Sequence, residues 1–273
     1  MRCLGIDFSG DAGMWTARRS RSNVWIADVH AQDGLVTLKD LRPVQALPGQ
    51  GAPFDRLVAL ILSRSFDVAA IDAPFSIPAC KMPPGGHEAL LRIVEAMSSP
   101  DGRPFPRATD FVQAVAGQPS IPSQPRRETE LYWRSSGLNV RSTLWSGPRG
   151  GAAMTAACLT LLARSGCPIW PWSTSLPGLL AEAFPMAQLF HWGLPYVAYN
   201  GMGSKAVEAR ACITAALDQR IHVGSFRTLV EESADALDAV LCAIAAVAVG
   251  EGKLAVPPVP GENVEGWIAM GRR

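Results

Sequence analysis

The chain has 273 residues, of which 48% are hydrophobic and 18% are charged, and its formal net charge is +1. This composition excludes a disordered chain and a uniformly basic one, and the length permits one large α/β domain, or one domain with a sizeable insertion, over residues 1–273. The six cysteines and four histidines lack the spacing of zinc ligands, so we expect buried, reduced thiols. No signal-peptide pattern and no apolar run of membrane-spanning length is present, so we expect a soluble, cytoplasmic protein without a membrane partner.

The first third of the chain predicts a strand, a hairpin, a helix and a second strand, in that order. Both single strands are short apolar runs that end in an acidic residue, Asp7 in LGID and Asp72 in VAAID. The sequence QDG between the two hairpin strands is a turn signal. The predicted elements are the strand 2–7, the hairpin strands 23–30 and 35–41, the helix 54–65 and the strand 68–71.

Residues 80–150 differ from the rest, because proline and arginine recur there and regular patterns are short. We interpret this region as an insertion of loops with short helices at 87–97 and 110–116. Regular structure then resumes. The predicted elements are a helix at 152–165, a strand at 179–183 that carries Glu182, and helices at 204–219 and 226–249.

Acidic residues beside apolar runs are the strongest functional signal in the sequence. A carboxylate is expensive to hold near a core unless something offsets its charge. Asp235 and Asp238 are three residues apart and share one face of the last long helix, where like charges repel. Each residue also has a structural explanation: Asp7 and Asp72 as turn residues, and the helical pair as solvated charges near a helix N-terminus. Taken as a set, they favour a divalent-metal site.

Magnesium and manganese suit such a site, because they prefer oxygen ligands and need no histidine or cysteine. Two such ions together activate water and neutralise charge during phosphodiester hydrolysis. Arginines in the insertion, near aromatic residues, are predicted to contact the phosphates of a nucleic acid. The predicted substrate contacts are Ser9, Arg126, Arg127, Arg134 and Arg141. Replacing Arg126 and Arg127 with Ala is expected to weaken the salt dependence of binding with little change in thermal stability.

The motifs GID-FSG, AIDAPFSIP, AEAFP and ADALDAVLCAIAA, in this order, resemble an uncharacterised family of predicted nucleases, domain of unknown function 429. That family is assigned to the ribonuclease H-like superfamily, and the last helix is similar to that of Holliday-junction resolvases. The resemblance implies a ribonuclease H-like mixed five-stranded sheet with helices on both faces. It also implies acidic residues around Mg²⁺ or Mn²⁺.

By this resemblance Asp7 matches the first-strand aspartate, and Asp72 matches the acidic residue that ends the fourth strand. Glu182 matches a Glu-x-x-Pro element, and Asp235 and Asp238 match the paired aspartates of the last helix. Asp7, Asp72, Glu182 and Asp238 are predicted to be catalytic, with Asp235 as a further metal ligand. The superfamily pattern has four acidic ligands, whereas five candidates are present here. We therefore expect that either Asp235 or Glu182 is not a metal ligand. Two alternatives stay open, a non-catalytic nucleic-acid-binding or scaffold module and an actin-like phosphotransferase or ATPase.

Overall fold

The protein forms an α/β structure around one mixed five-stranded sheet, in a computed structural model that describes residues 1–19, 21–117, 124–148, 150–255 and 262–273. The strands are β1 (Arg2–Asp7), β2 (Trp25–Gln32), β3 (Leu35–Pro43), β4 (Val68–Asp72) and β5 (Leu179–Glu182). The helices are α1 (Pro53–Leu62), α2 (Gly86–Glu95), α3 (Ala108–Ala116), α4 (Glu128–Ser135), α5 (Ala152–Ser165), α6 (Pro185–Trp192), α7 (Ser204–Leu217), α8 (Arg227–Glu232), α9 (Ala234–Gly250) and α10 (Glu262–Glu265). Within these ranges, no helix combines the length and the apolar character needed to cross a membrane.

The strand order is β3-β2-β1-β4-β5, which places β1 at the centre of the sheet. β1 and β2 are antiparallel, as are β2 and β3, and the hairpin turn between the latter two places Asp33 and Gly34 at positive φ. β1, β4 and β5 run parallel to one another. The carboxyl ends of these three strands therefore meet at one edge of the sheet, where ligands gather in open α/β folds.

Helices cover both faces of the sheet, and each face has its own hydrophobic core. Leu4 and Ile6 of β1 face the core that includes residues of α1, α2, α3 and α5. Cys3, one position out of phase, faces the core built from α7, α8 and α9. This alternation follows from the two-residue period of a strand, and it places Asp7 on the same face as Cys3.

Gly5 allows α9 to cross β1 at close range. A Cβ atom at Gly5 would lie 2.0 Å from the carbonyl oxygen of Ala239 and 2.1 Å from the backbone nitrogen of Ala243. The small residues of α9 and this glycine therefore let the helix backbone reach the strand directly. The N-terminal turns of α9 are thereby held beside the carboxyl end of β1.

The structure confirms most of the predicted elements, including the helix at 152–165 and the two parallel strands that end in aspartate. The single helix predicted at 226–249 is wrong. The chain forms α8 and α9 instead, separated by Ser233, which has extended φ and ψ and accepts a hydrogen bond from the backbone N–H of Ala236. Its hydroxyl caps α9 and so starts a new helix.

The proline- and arginine-rich region contains α2, α3 and also α4, which the sequence pattern did not predict. Residues of α2 and α3 belong to the core on one face of the sheet. The buried N-cap residue of α4, Arg127, pairs with Glu182 of β5, as described below. Part of the predicted insertion, residues 118–123 and 149, lies outside the described residues.

Candidate functional site

Three aspartates meet at the carboxyl edge of the parallel strands. Carboxylate oxygens of Asp7, Asp72 and Asp238 all lie within 4.8 Å of one another. We refer to these residues as the aspartate triad. Asp7 is buried, with 8% of its surface exposed, whereas Asp72 and Asp238 are half-buried and open toward solvent. The triad is therefore a concentrated negative site that solutes can reach.

The positions of the triad follow from the pairing of the strands and from the close approach of α9. Asp7 and Asp72 are register partners on the parallel strands β1 and β4, so their side chains project to the same face. Asp238 comes from the second turn of α9, which packs on that face. The predicted proximity of Asp7 and Asp72 is confirmed.

Burial, followed by the charge of neighbouring carboxylates, raises the pKa of each triad carboxyl. The pKa of Asp7 is well above its ordinary value because of burial, followed by the charges of Asp238 and Asp72. Burial, together with the nearby charge of Glu182, raises the pKa of Asp72 to about 7. Burial and the charge of Asp72 likewise raise the pKa of Asp238. Such shifts indicate a set of carboxylates whose charge the protein itself leaves uncompensated.

Asp235 lies beside the triad but outside the group of mutually close oxygens. Its charge contributes to the raised pKa of Asp7 and of Asp238. The pKa of Asp235 is itself raised by burial, and the nearby Arg210 opposes that rise. Asp235 is thus close enough to influence the site electrostatically, and its role as a metal ligand stays a prediction.

Glu182 occupies the opposite face of the sheet from the triad. Its neighbours in β5, Leu179 and Ala181, face the core beneath α9, whereas Leu180 faces the other core. Glu182 shares the parity of Leu180 and therefore points away from α9. The sequence pattern correctly located this glutamate at a strand end, but the face that it occupies depends on strand register.

Two ion pairs bind Glu182 and Glu130 to a buried arginine. Nη1 and Nη2 of Arg127 donate to the two carboxylate oxygens of Glu182 at 2.7 and 2.6 Å, and its Nε donates to Glu130 at 2.9 Å. The backbone N–H of Phe75 also donates to Glu182, at 2.9 Å. We call Arg127, Glu130 and Glu182 the arginine–glutamate cluster, and each is at least 97% buried.

Several of the predicted substrate contacts do not have the exposed positions that the sequence indicated. Arg127 is 1% exposed, so the exposed, phosphate-contacting placement predicted for it is not the one observed. Ser9 is also buried, and its hydroxyl accepts hydrogen bonds from the Asp11 backbone N–H and the Asn23 side chain. Arg126 and Arg134 both reach the carbonyl oxygen of Val140, at 3.4 Å each.

Arg141 is exposed and lines a cleft of about 410 Å³ that opens onto Asp72. Glu182, Asn139 and Asn200 line the same cleft. Arg127 also lines this cleft but is 1% exposed and paired with glutamates, so Arg141 is the exposed arginine of the predicted substrate contacts there.

Tyr199 and Arg210 support the site, and the sequence interpretation missed both. The Tyr199 hydroxyl donates to Oδ1 of Asp238 at 2.9 Å, a bond that lowers the pKa of Asp238 against the larger effect of burial. The buried guanidinium of Arg210 donates to the backbone carbonyls of Tyr199, Gly201, Glu231 and Glu232. Arg210 therefore ties the loop that carries Tyr199 to the end of α8.

A signal for Arg210 is present in the sequence, although none is present for Tyr199. Arg210 falls at helical spacing between the buried residues Ala206, Ile213 and Leu217 of α7, a position where an arginine is unexpected. An arginine on an apolar helix face implies buried acceptors. Tyr199 lies in an irregular loop, where periodicity carries no information.

The chain belongs to the family described as protein of unknown function DUF429, whose model matches residues 5–262. The family membership expected from the motifs is therefore confirmed, and the match includes every residue of the triad. No curated protein and no solved structure matches the chain.

Proposed function

We propose that this protein is a divalent-metal-dependent nuclease of ribonuclease H-like architecture, with Mg²⁺ or Mn²⁺ as its cofactor. The observation that carries the proposal is the aspartate triad, three carboxylates within 4.8 Å of one another on two parallel strands and a helix. A central strand that ends in one of these aspartates, in a mixed sheet covered on both faces, supports the superfamily assignment.

The residues present fit a hard divalent cation. All three groups offer carboxylate oxygens, which Mg²⁺ and Mn²⁺ prefer. Burial, and after it neighbouring negative charge, raises the pKa of each carboxyl, and a bound cation would offset both effects. Among the residues that the structure describes, none of the triad carboxylates forms an ion pair with lysine or arginine. Asp7, Asp72 and Asp238 would hold the metal, with Asp235 beside them.

When bound, the metal supplies a lowered pKa for its water and neutralises charge on the phosphate. In the net reaction, water adds a hydroxyl group to phosphorus and a proton to the departing oxygen as the ester bond breaks. Asp7, the most buried of the three carboxylates, would be one of the residues that hold the metal. Tyr199 orients the Asp238 carboxylate through its hydrogen bond, and Arg141 meets the substrate at the open side of Asp72.

The gathered and uncompensated carboxylates favour a nuclease over a scaffold module. A structural role predicts acidic residues that are scattered or paired with arginine. Glu182 has that character, whereas the triad does not. The contrast within one molecule supports catalysis at the triad.

The test is cleavage of single-stranded, duplex and branched DNA and RNA with Mn²⁺, Mg²⁺ or EDTA. We expect metal-dependent cleavage by the wild type and a loss of about a thousandfold or more in Asp7→Asn, because several kcal/mol of transition-state stabilisation disappear with the metal. Asp110→Asn, which removes an exposed carboxylate from α3, is the matched control and should cleave normally. Equal cleavage by wild type and Asp7→Asn would contradict the proposal.

A further inference from the structure

A second cleft opens beside the triad on the side opposite Asp72. It has a volume of about 860 Å³ and lies between the segment that leads into β2 and the start of α9. Arg19, Arg21, Asn23, Trp25, Asn200 and Asp235 are among the residues that line it. We call it the arginine cleft.

Three residues that line the arginine cleft are neighbours of triad residues, although the triad itself does not line it. Trp25 is the register partner of Asp7 across the antiparallel strands, so the two side chains project to the same face of the sheet. Asp235 lies one helical turn before Asp238. Asn200 lines both clefts, and it follows the tyrosine that bonds Asp238. A ligand in the arginine cleft would therefore lie against the triad.

Two arginines of this cleft form no ion pair with the described residues, although Glu232 and Asp235 line the same cleft. Arg19 and Arg21 are exposed, and within the described part of the chain neither forms an ion pair or a hydrogen bond. Other arginines of the protein differ in this respect, since Arg2, Arg164 and Arg227 pair with aspartates. Two unpaired guanidinium groups next to a negative metal site are suited to bind the phosphates of a substrate that must approach it.

Trp25 adds a surface for a base. Its side chain is half-buried, and it packs on one side against the core beneath α9 while it lines the cleft on the other. Its indole N–H already donates to the carbonyl oxygen of Ser22 at 3.2 Å, so the ring orientation is fixed. A fixed aromatic ring beside free cations is the combination that binds single-stranded nucleic acid by stacking and charge.

We propose that the arginine cleft binds a single-stranded nucleic-acid segment that leads to the triad, with Arg19 and Arg21 on its phosphates and Trp25 on a base. This inference rests on the proposed function and specifies its substrate. The bound nucleic acid runs across the edge of the β-sheet, from the arginine cleft over the triad to the cleft that contains Arg141. The loop with Asn200 lies between the two clefts and contacts both sides of the path.

Binding is tested by fluorescence anisotropy with a short, fluorescein-labelled single-stranded DNA, in EDTA, over a range of salt concentrations. The variant Arg19→Gln/Arg21→Gln removes both proposed phosphate contacts. Each contact to a single strand contributes about 0.7 to the log–log salt slope, so the slope should flatten by about 1.4. The control Arg18→Gln/Lys39→Gln removes the same charge from exposed residues outside the cleft and should keep the wild-type slope.

The contribution of Trp25 is tested with Trp25→Leu and Trp25→Phe in the same assay. We expect binding to weaken about tenfold in the leucine variant and to be largely retained in the phenylalanine variant, because only the latter can stack. Matched thermal unfolding of the two variants shows whether the fold is intact. Equal affinity of both variants would overturn the stacking contact, and equal salt slopes of the two double variants would overturn the phosphate contacts.

Cleavage distinguishes failure of this inference from failure of the proposed function. Binding that depends on Arg19 and Arg21, without cleavage in Mn²⁺, would support the binding site and refute the nuclease. Cleavage that needs Asp7 while Arg19→Gln/Arg21→Gln cleaves like the wild type would support the nuclease and refute the arginine cleft.

Discussion

Two groups of buried or half-buried carboxylates lie on opposite faces of the same sheet edge, and the protein treats them in opposite ways. In the arginine–glutamate cluster, Arg127 donates to both glutamates, and the backbone N–H of Phe75 supplies a further hydrogen bond. In the aspartate triad, the carboxylates face one another, and the tyrosine hydroxyl on Asp238 is the polar side-chain contact that the described residues provide.

The charged neighbours that act on each pKa, rather than the pKa values themselves, differ between the two groups. Burial raises the pKa of Glu130 to about 7, against the opposing attraction of Arg127. Burial alone lowers the pKa of Arg127, but Glu182 and Glu130 together raise it above its ordinary value, so the arginine stays charged. In the triad, burial and neighbouring negative charges act in the same direction. The comparison teaches that burial of a carboxylate does not identify a functional site, whereas burial without a counterion does point to one.

The largest expected effect comes from breaking the compensated cluster. Arg127→Met should lower the free energy of unfolding by about 3–5 kcal/mol, because it leaves two glutamates buried without a counterion. Urea unfolding measures the change. Arg126→Met is the matched control, since Arg126 is half-buried and makes one long hydrogen bond, and it should cost less than about 1 kcal/mol. A loss no greater in Arg127→Met than in the control would contradict the structural role of the cluster.

This expectation replaces the one drawn from sequence, in which loss of Arg126 and Arg127 together left thermal stability nearly unchanged. The reason is the burial of Arg127, which the sequence interpretation placed in a surface loop. Adding Glu182→Gln and Glu130→Gln to Arg127→Met should recover part of the stability, because the uncompensated charges are then removed.

The next effect is stabilisation of the triad by a divalent cation, and it should depend on pH. The pKa of Asp72 is raised from 3.8 to about 7 in the folded protein, so the folded state retains a proton that the unfolded state releases between these values. Without metal, the stability contributed by this group is therefore present at low pH and is lost as pH rises toward about 7. A bound divalent cation would favour the ionised form, so we expect it to reverse this loss.

Thermal unfolding with Mn²⁺ at about a hundredfold excess over its dissociation constant should show about 2.7 kcal/mol of stabilisation at about pH 8 and much less at about pH 5. Asp7→Asn should abolish the shift, whereas Glu182→Gln should retain it, because Glu182 lies on the other face of the sheet. An undiminished shift in Asp7→Asn would place the metal elsewhere.

The smallest expected effect concerns the one hydrogen bond to the triad from a tyrosine. Tyr199→Phe should weaken Mn²⁺ binding about tenfold, because it frees the Asp238 carboxylate and allows its pKa to rise further. Titration followed by the electron paramagnetic resonance of free Mn²⁺ measures the affinity. Tyr196→Phe is the control, since Tyr196 lies in the same loop and packs against Phe190. Identical affinities of the two variants would remove Tyr199 from the site.

Elements that depend on local patterns could be predicted from the residues alone. A short apolar run that ends in aspartate predicts a buried strand, and two such strands linked through a helix are nearly always parallel neighbours. That rule correctly predicted that Asp7 and Asp72 lie close together. The helical spacing of Asp235 and Asp238 also correctly gave them one helix, although the break at Ser233 before it was missed.

Which carboxylates share a site, and which are paired with arginine, depends on long-range packing. The alternation of side chains along a strand is a local property. The register between β4 and β5, however, pairs segments more than a hundred residues apart, and this register places Glu182 beside Arg127. The close approach of α9 to Gly5 likewise selects Asp238 for the triad. Tyr199, in a loop, and Arg127, which is buried against Glu182 of β5, have no local sequence signature. Their roles arise from long-range packing, because the free energy of a buried charge depends on neighbours that only the folded chain brings close.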